Sequence, residues 1–548
     1  MFENWSPRVL LAAVCGASLL TGSAFAQPAA SPTRPNVVVI LADDMGFSDL
    51  GCYGGEIHTP NIDALAAKGV RFTQFYNMAR CCPTRAALLT GMYPHQAGMG
   101  AMNQDLGTPA YRGELSRDTA TIAEVLRDAG YHTGMVGKWH LTHLSIAGSP
   151  EAKAMLNFKS DAPISPSKEN WPCNRGFEEH WGTIPGVDDY FDPYGLVHNE
   201  ETIKPDKPGF YYTDFITDHA VGLIDQFSAD QKPFFMYVAY TAPHWPMHAL
   251  PADIEKYKDT YKVGWDAIRE ARFEKQVALG IAKKQWTLSP RAFNKGLNDG
   301  PSQVGPWAEA SDKEWQAQRM AVYAAMIECM DRGVGKIMAE LQAKGQLDNT
   351  MVVFLSDNGA CQENVQQGWY DIPTQTRDGK KIQVGNKSEF MPGPQEVYQS
   401  YGPAWANASN TPFRRFKHFT EEGGISAPFI VQWPAANLQA GRIDTRAVGD
   451  VIDLMPTVLA ATGASYETKK QGKELPQLEG QNLLDLLKGT AAPQSRTLCW
   501  EHEGNRAVRI GDWKLVGPHG ENWKLYNVVD DRTELHDQSA RSPRRWPN

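Results

Sequence analysis

Four short apolar runs that end abruptly in polar residues constrain the fold of this chain more than any other feature. Val37–Leu41 runs into Asp43 and Asp44, and Gly134–Gly137 into Lys138 and His140. Phe234–Tyr240 runs into His244, and Met351–Leu355 into Asp357 and Asn358. Such β-branched and aromatic runs fit strands buried on both faces of a parallel or mixed sheet. Helical stretches are read between them over 61–68, 119–129 and 312–344, with Ser311 and Glu314 as a capping box for the third. The alternation predicts an α/β fold: a large mixed, mostly parallel sheet covered by helices on both faces. Ligands bind such sheets beyond the strand carboxyl ends, where each run here delivers its polar group.

The flanks set the context. Residues 1–26 read as a secretory signal, with Arg8 before the apolar stretch Val9–Leu20 and Ala24-Phe25-Ala26 as the cleavage pattern. That predicts an exported protein, periplasmic or extracellular, with no stable membrane span in the mature chain. The main domain is expected over 27–465. A small C-terminal α+β domain is expected over 466–548, with a helix near 481–488 and strands at 497–500, 506–510, 513–516 and 523–526. Segments 141–172 and 265–312 read as irregular insertions over the sheet, and 465–480 as a surface connection. The net charge of −9 argues against nucleic acid as a partner, so an anionic ligand must be drawn by local positive charge. Cysteines 52, 81, 82, 173, 329, 361 and 499 are scattered, with neither zinc-knuckle spacing nor a readable disulfide framework.

Cys81-Cys82-Pro83-Thr84-Arg85, followed by Ala-Ala-Leu-Leu-Thr-Gly91, is the stretch richest in chemistry. Pro83 suits the first helical position and Gly91 the helix end. Cys81 is then expected just before a helix N-terminus, where free N–H groups favour an anion. Arg85 adds a charged fork one turn later. Together they read as a nucleophile beside an oxyanion. Asp43, Asp44, Asp357 and Asn358 offer hard oxygens from two strand ends, a set suited to Ca²⁺, or Mg²⁺, rather than zinc. Asp49 lies nearby but reads as a cap for the following turn.

The stretch from Cys81 resembles the signature of the formylglycine-dependent sulfatases, in the alkaline-phosphatase-like superfamily, and the overall pattern looks most like bacterial arylsulfatases. The resemblance extends from about residue 36 to 530, with late landmarks at Arg509–Lys514 and Leu525-Tyr-Asn. It implies that Cys81 is oxidised to formylglycine by a maturation enzyme, and that Asp43, Asp44, Asp357 and Asn358 bind one calcium ion. It also implies that Arg85 and Lys138 steady the aldehyde hydrate, while His244 and Lys417 bind sulfate and the leaving oxygen. Asp357 helps remove the attacking proton, and His140 takes the proton that lets the sulfo-enzyme hemiacetal collapse and release sulfate.

The expected function is hydrolysis of sulfate esters, either small aryl sulfates or sulfated glycans. One alternative is a phosphate or phosphonate ester hydrolase of the same superfamily, although Asp357-Asn358-Gly359 favours sulfate. The other is a non-catalytic glycan-binding protein, if Cys81 stays unmodified. In the turn-like segment 500–506, His502 and Asn505 are expected to contact a saccharide substrate.

Overall fold

The computed structural model describes Met1 and residues 34–540, apart from 145–148, 160–163, 206, 231, 292–303, 367–368, 370–371 and 471. The rest of the expected signal therefore lies outside the described residues. In chain order the strands are β1 (Asn36–Ala42), β2 (Val70–Tyr76), β3 (His132–Lys138), β4 (Glu179–Thr183), β5 (Leu196–His198), β6 (Glu201–Thr202), β7 (Phe234–Ala239) and β8 (Thr350–Ser356). The two-residue strands β9 (Gln383–Val384) and β10 (Val397–Tyr398) come next, then β11 (Ser426–Gln432) and β12 (Arg442–Asp450).

Ten strands form one sheet in the order β12-β2-β11-β8-β1-β7-β3-β4-β5-β6. Its centre is parallel: β8, β1, β7, β3 and β4 all run the same way. β11 is antiparallel to both of its neighbours. Along β1, Val38 and Ile40 enter one core while Val37, Val39 and Leu41 enter the other. This two-sided burial is why the strand reads as an unbroken apolar run. Helices α1 (Pro60–Lys68), Tyr212–Phe227 and Lys313–Ala343 cover the first face. Helix α2 (Cys81–Thr90) and helix Leu454–Thr462 cover the second.

After the hairpin β13 (Lys469–Lys470)–β14 (Lys473–Glu474) and helix Leu484–Lys488, the chain ends in a four-stranded antiparallel sheet. Its strands are β15 (Thr497–His502), β16 (Asn505–Ile510), β17 (Trp513–Gly517) and β18 (Lys524–Asn527). Leu498, Trp500, Ala507, Val516 and Tyr526 bury this sheet against the second face, beside α2. Trp500 Nε1 donates to Asn77 O at 3.0 Å, which fixes the sheet near the nucleophile loop.

Three local expectations need correction. α2 begins at Cys81 itself, with Arg80 as N-cap and Pro83 third in the helix. Any of the first N–H groups lacks a helical acceptor, so proline is tolerated there as well. The long helix has no Ser311 capping box: Asp312 is its N-cap, at φ 51°, and no side-chain cap bond forms. Within the expected insertion 265–312, Gly264–Leu279 is a regular helix of 16 residues. The seven cysteines of the described residues are all free thiols, and no helix there is long and apolar enough to cross a membrane.

Candidate active site

The carboxyl edge of the sheet gathers the predicted residues from six places in the chain. β1 and β8 are paired with Ala42 opposite Ser356, so Asp43 and Asp357 emerge side by side. β3 delivers Lys138 and His140, and the loop after β7 delivers His244. α2 points Cys81 and Arg85 at the same spot, and Lys417 arrives on a loop pinned by its own N–H to Ala360 O at 3.2 Å. Arg85, Lys138, Lys417, Cys81, His140 and His244 are all buried.

The charges interlock. Arg85 donates to Asp357 Oδ2 through Nε and Nη2, at 3.1 and 2.8 Å, and its Nη1 reaches Lys138 O at 3.0 Å. Lys138 Nζ lies 2.5 Å from Asp43 Oδ2, and Lys417 Nζ lies 3.0 Å from Asp44. His244 Nδ1 is bonded to Trp245 O at 2.6 Å, which leaves Nε2 facing Asp44 and Lys417 at 3.4 and 3.5 Å. Burial, aided by Lys138 and Arg85, pushes the His140 pKa down to about 4 against the pull of Cys81. At neutral pH the ring is therefore an uncharged base. The Cys81 thiol is held well below its ordinary range by a hydrogen bond from Cys82 and by His140 and Lys138, although burial opposes this. Burial pushes Cys82 well up. Of the adjacent thiols, the first is the one poised as an anion.

The oxygens fit a hard cation. Asp43 Oδ1 and Asn358 Oδ1 are buried without any hydrogen-bond partner. Asn358 Nδ2 donates to Asp44 Oδ1 at 2.6 Å, so its carbonyl is the free end of the amide. Buried oxygen acceptors left empty beside two further carboxylates are what Ca²⁺ or Mg²⁺ would satisfy. The His244 ring also comes within 4.8 Å of the Asp43 and Asp44 oxygens, but an imidazole is the softer donor. Asp49 takes no part: it accepts from Gly46 N at 2.8 Å, capping the turn, and from Arg272 at 2.7 Å.

Two contributors escaped the sequence reading. Glu363 is buried and accepts from Arg80 Nη1 and Trp245 Nε1 at 2.8 Å each, with Lys417 Nζ at 3.8 Å. It thus braces the neighbours of both His244 and Lys417. Gly186 lies against the His140 ring so closely that a Cβ would stand 2.1 Å from Nε2. No spacing rule marks either residue, because both act across the fold.

Within the segment 500–506 only Glu503-Gly504 forms the turn, both at positive φ, and the flanking residues are paired in β15 and β16. Its side chains make contacts within the fold. The Asn505 amide donates to His418 O and His502 O, at 3.2 and 3.3 Å, and accepts from His519 N at 3.0 Å. It is fully used in fastening the hairpin. His502 is wholly buried beneath it.

Comparison with known proteins agrees with this geometry. The sequence profile of the Sulfatase family matches residues 35–464. An arylsulfatase of Klebsiella aerogenes is 33% identical over 464 residues, covering 81% of this chain and 89% of that protein. An uncharacterized sulfatase of Schizosaccharomyces pombe is 32% identical over 551 residues, covering 94% and 92%. The crystal structure of Ps i-CgsB in complex with k-i-k-neocarrahexaose superposes with a TM-score of 0.62 at 25% identity, covering 93% of this chain and 90% of that one. The chain therefore belongs to the sulfatase family and is a sulfuric ester hydrolase.

Proposed function

We propose that the protein hydrolyses sulfate esters through residue 81 after a maturation enzyme oxidises Cys81 to formylglycine, with a calcium ion held by Asp43, Asp44, Asp357 and Asn358. The observation that carries this reading is the meeting of Cys81 with an uncharged His140 and the cations of Arg85 and Lys138 in a water-poor pocket. A divalent cation on the four oxygens supplies Lewis acidity toward sulfate.

The protein's own residues supply the rest. Lys417 and His244 Nε2 face the same pocket and are placed to hold sulfate oxygens and the leaving oxygen. Lys138 and Arg85 steady the hydrated aldehyde. Asp357 is placed to draw off the attacking proton, and His140, uncharged, accepts the proton that allows sulfate to leave. An unmodified cysteine would be trapped as its own ester, having no second hydroxyl with which to expel the anion.

The substrate is the sulfate ester of a small aryl alcohol or a saccharide. The Klebsiella arylsulfatase and the neocarrahexaose complex of the structural neighbour support this pair of classes. The Arg8–Ala26 pattern adds export through a cleaved signal, which cell fractionation tests. Mass spectrometry of the Cys81 peptide tests the modification, which should lower the mass by about 18 Da. Cys81→Ala should abolish sulfate release while Cys82→Ala keeps most of it. Full activity in a verified Cys81→Ala protein sinks the formylglycine reading. Faster turnover of phosphate than sulfate esters would favour the phosphatase alternative.

A further inference from the structure

Beside the sulfate centre, His418, His502 and Glu503 bring their ligand atoms within 4.8 Å of one another. His418 follows Lys417 in the main domain, whereas His502 and Glu503 belong to the β15–β16 hairpin, so the group spans the two sheets. His502 is wholly buried, and neither ring nitrogen has a hydrogen-bond partner. Its Nε2 lies 3.5 Å from Glu503 Oε1. An imidazole stripped of water with both nitrogens empty is costly unless something binds it.

The rest of the group supplies what a metal needs. His418 Nδ1 faces Glu503 Oε2 at 2.7 Å, and its Nε2 lies 3.1 Å from Glu363 Oε1. A carboxylate behind an imidazole fixes the tautomer and raises the basicity of the nitrogen in front. Arg80 Nη1 approaches the same Glu363 oxygen at 2.8 Å and also touches His418 Nε2, so Glu363 adds no net charge to the group. The Glu503 side chain is 41% exposed, which opens one side to solvent.

We propose that His418, His502 and Glu503 bind a zinc ion, with the fourth position open to solvent. Two imidazoles and one carboxylate are a borderline donor set that suits zinc, in contrast to the all-oxygen set of the sulfate centre. Burial pushes His502 down, which favours the neutral form that ligates metal. The ion would clip the C-terminal hairpin to the loop carrying Lys417.

The test uses the full chain, stripped by chelator, resupplied with calcium and equilibrated with zinc. About one zinc per chain should survive buffer exchange, and its X-ray absorption should show nitrogen and oxygen ligands only. Glu503→Gln, at a partly exposed turn that should fold normally, and His502→Ala should each weaken zinc binding about tenfold or more. A sulfur shell would place the zinc on Cys81 and Cys82 and overturn the proposal. Loss of all zinc on exchange, or unchanged affinity in either variant, would overturn it too. None of these readouts depends on oxidation of Cys81, so failure here leaves sulfate ester hydrolysis untouched.

Discussion

At the scale of single residues, His140 is distinguished by what surrounds it. It is buried, lies beside two cations, and has Nδ1 without a hydrogen-bond partner. In the proposed cycle its proton-accepting role falls after attack on sulfur, so removing the ring should stall the second half. His140→Ala is expected to lower turnover by roughly 10²–10⁴-fold. It should also accumulate enzyme carrying about 80 Da extra on residue 81, seen by intact-mass analysis during turnover. A slowed attack step without that adduct would move His140 to the first half of the reaction. The residue types of the site were legible because histidines, Lys138 and the hard oxygens follow strand-like runs, and the nucleophile stands in a compact motif at a helix start. Gly186 was not legible, since its use is only that it lacks a Cβ where the His140 ring passes.

At the scale of elements, β3 shows how a strand aims two side chains of the candidate site. Gly137 precedes Lys138 at φ 97°, and a Cβ there would stand 2.0 Å from Ala239 O on neighbouring β7. The strands can approach closely and still turn Lys138 and His140 into the pocket. Gly137→Ala should therefore destabilise the protein by about 1–3 kcal/mol through backbone strain. Activity should fall on the order of 10²-fold in the fraction that remains folded, because misplacement by about 1 Å carries that cost. Calorimetry and kcat/KM check the two halves; wild-type values in both would show that β3 relaxes without moving its cargo. The central strands were legible because burial on both faces leaves continuous apolar runs. Gly264–Leu279 was missed for the opposite reason. Its buried positions include Arg269, Arg272 and Gln276, which bond to Ser289, Asp49, Glu56 and the backbone of Tyr53 and Thr411. Polar residues on the buried face hide a helical period that an apolar count would find.

At the scale of the molecule, two charged clusters hold the architecture together, one at the sheet edge and one beneath the C-terminal sheet. Asp43, Asp44 and Asp357 crowd the first, where burial and the neighbouring Asp43 push Asp357 well up. Stringent chelation should lower both melting temperature and turnover, with calcium or magnesium restoring them better than zinc; an unchanged metal-free protein would contradict the oxygen site. In the second cluster, Lys514 on β17 reaches Glu422 and Glu534 at 3.0 and 2.9 Å, and Arg532 reaches Glu422 at 2.8 Å. All four are buried, and Glu422 follows the loop of Lys417, so the C-terminal sheet bears on the active-site loop by charge as well as by packing. The sequence shows Lys514 within a landmark but cannot show that it meets Glu422. Lys514→Met would strip Glu534 of its cation in a dry interior while Glu422 keeps Arg532, a loss of about 3–5 kcal/mol for a broken buried pair. Burial raises Glu534 to about 7, although Lys514 opposes the shift. The folded form therefore holds that proton more tightly than the unfolded chain. Its contribution is complete below the ordinary glutamate value of 4.5 and is lost as the pH rises through about 7. Without Lys514 the folded pKa should climb further and the decline should extend to higher pH. Melting temperatures of both proteins at pH 5.5 and 8.5 make the test: the gap between them should be wider at the higher pH, and an equal gap would mean that Lys514 contributes packing rather than charge.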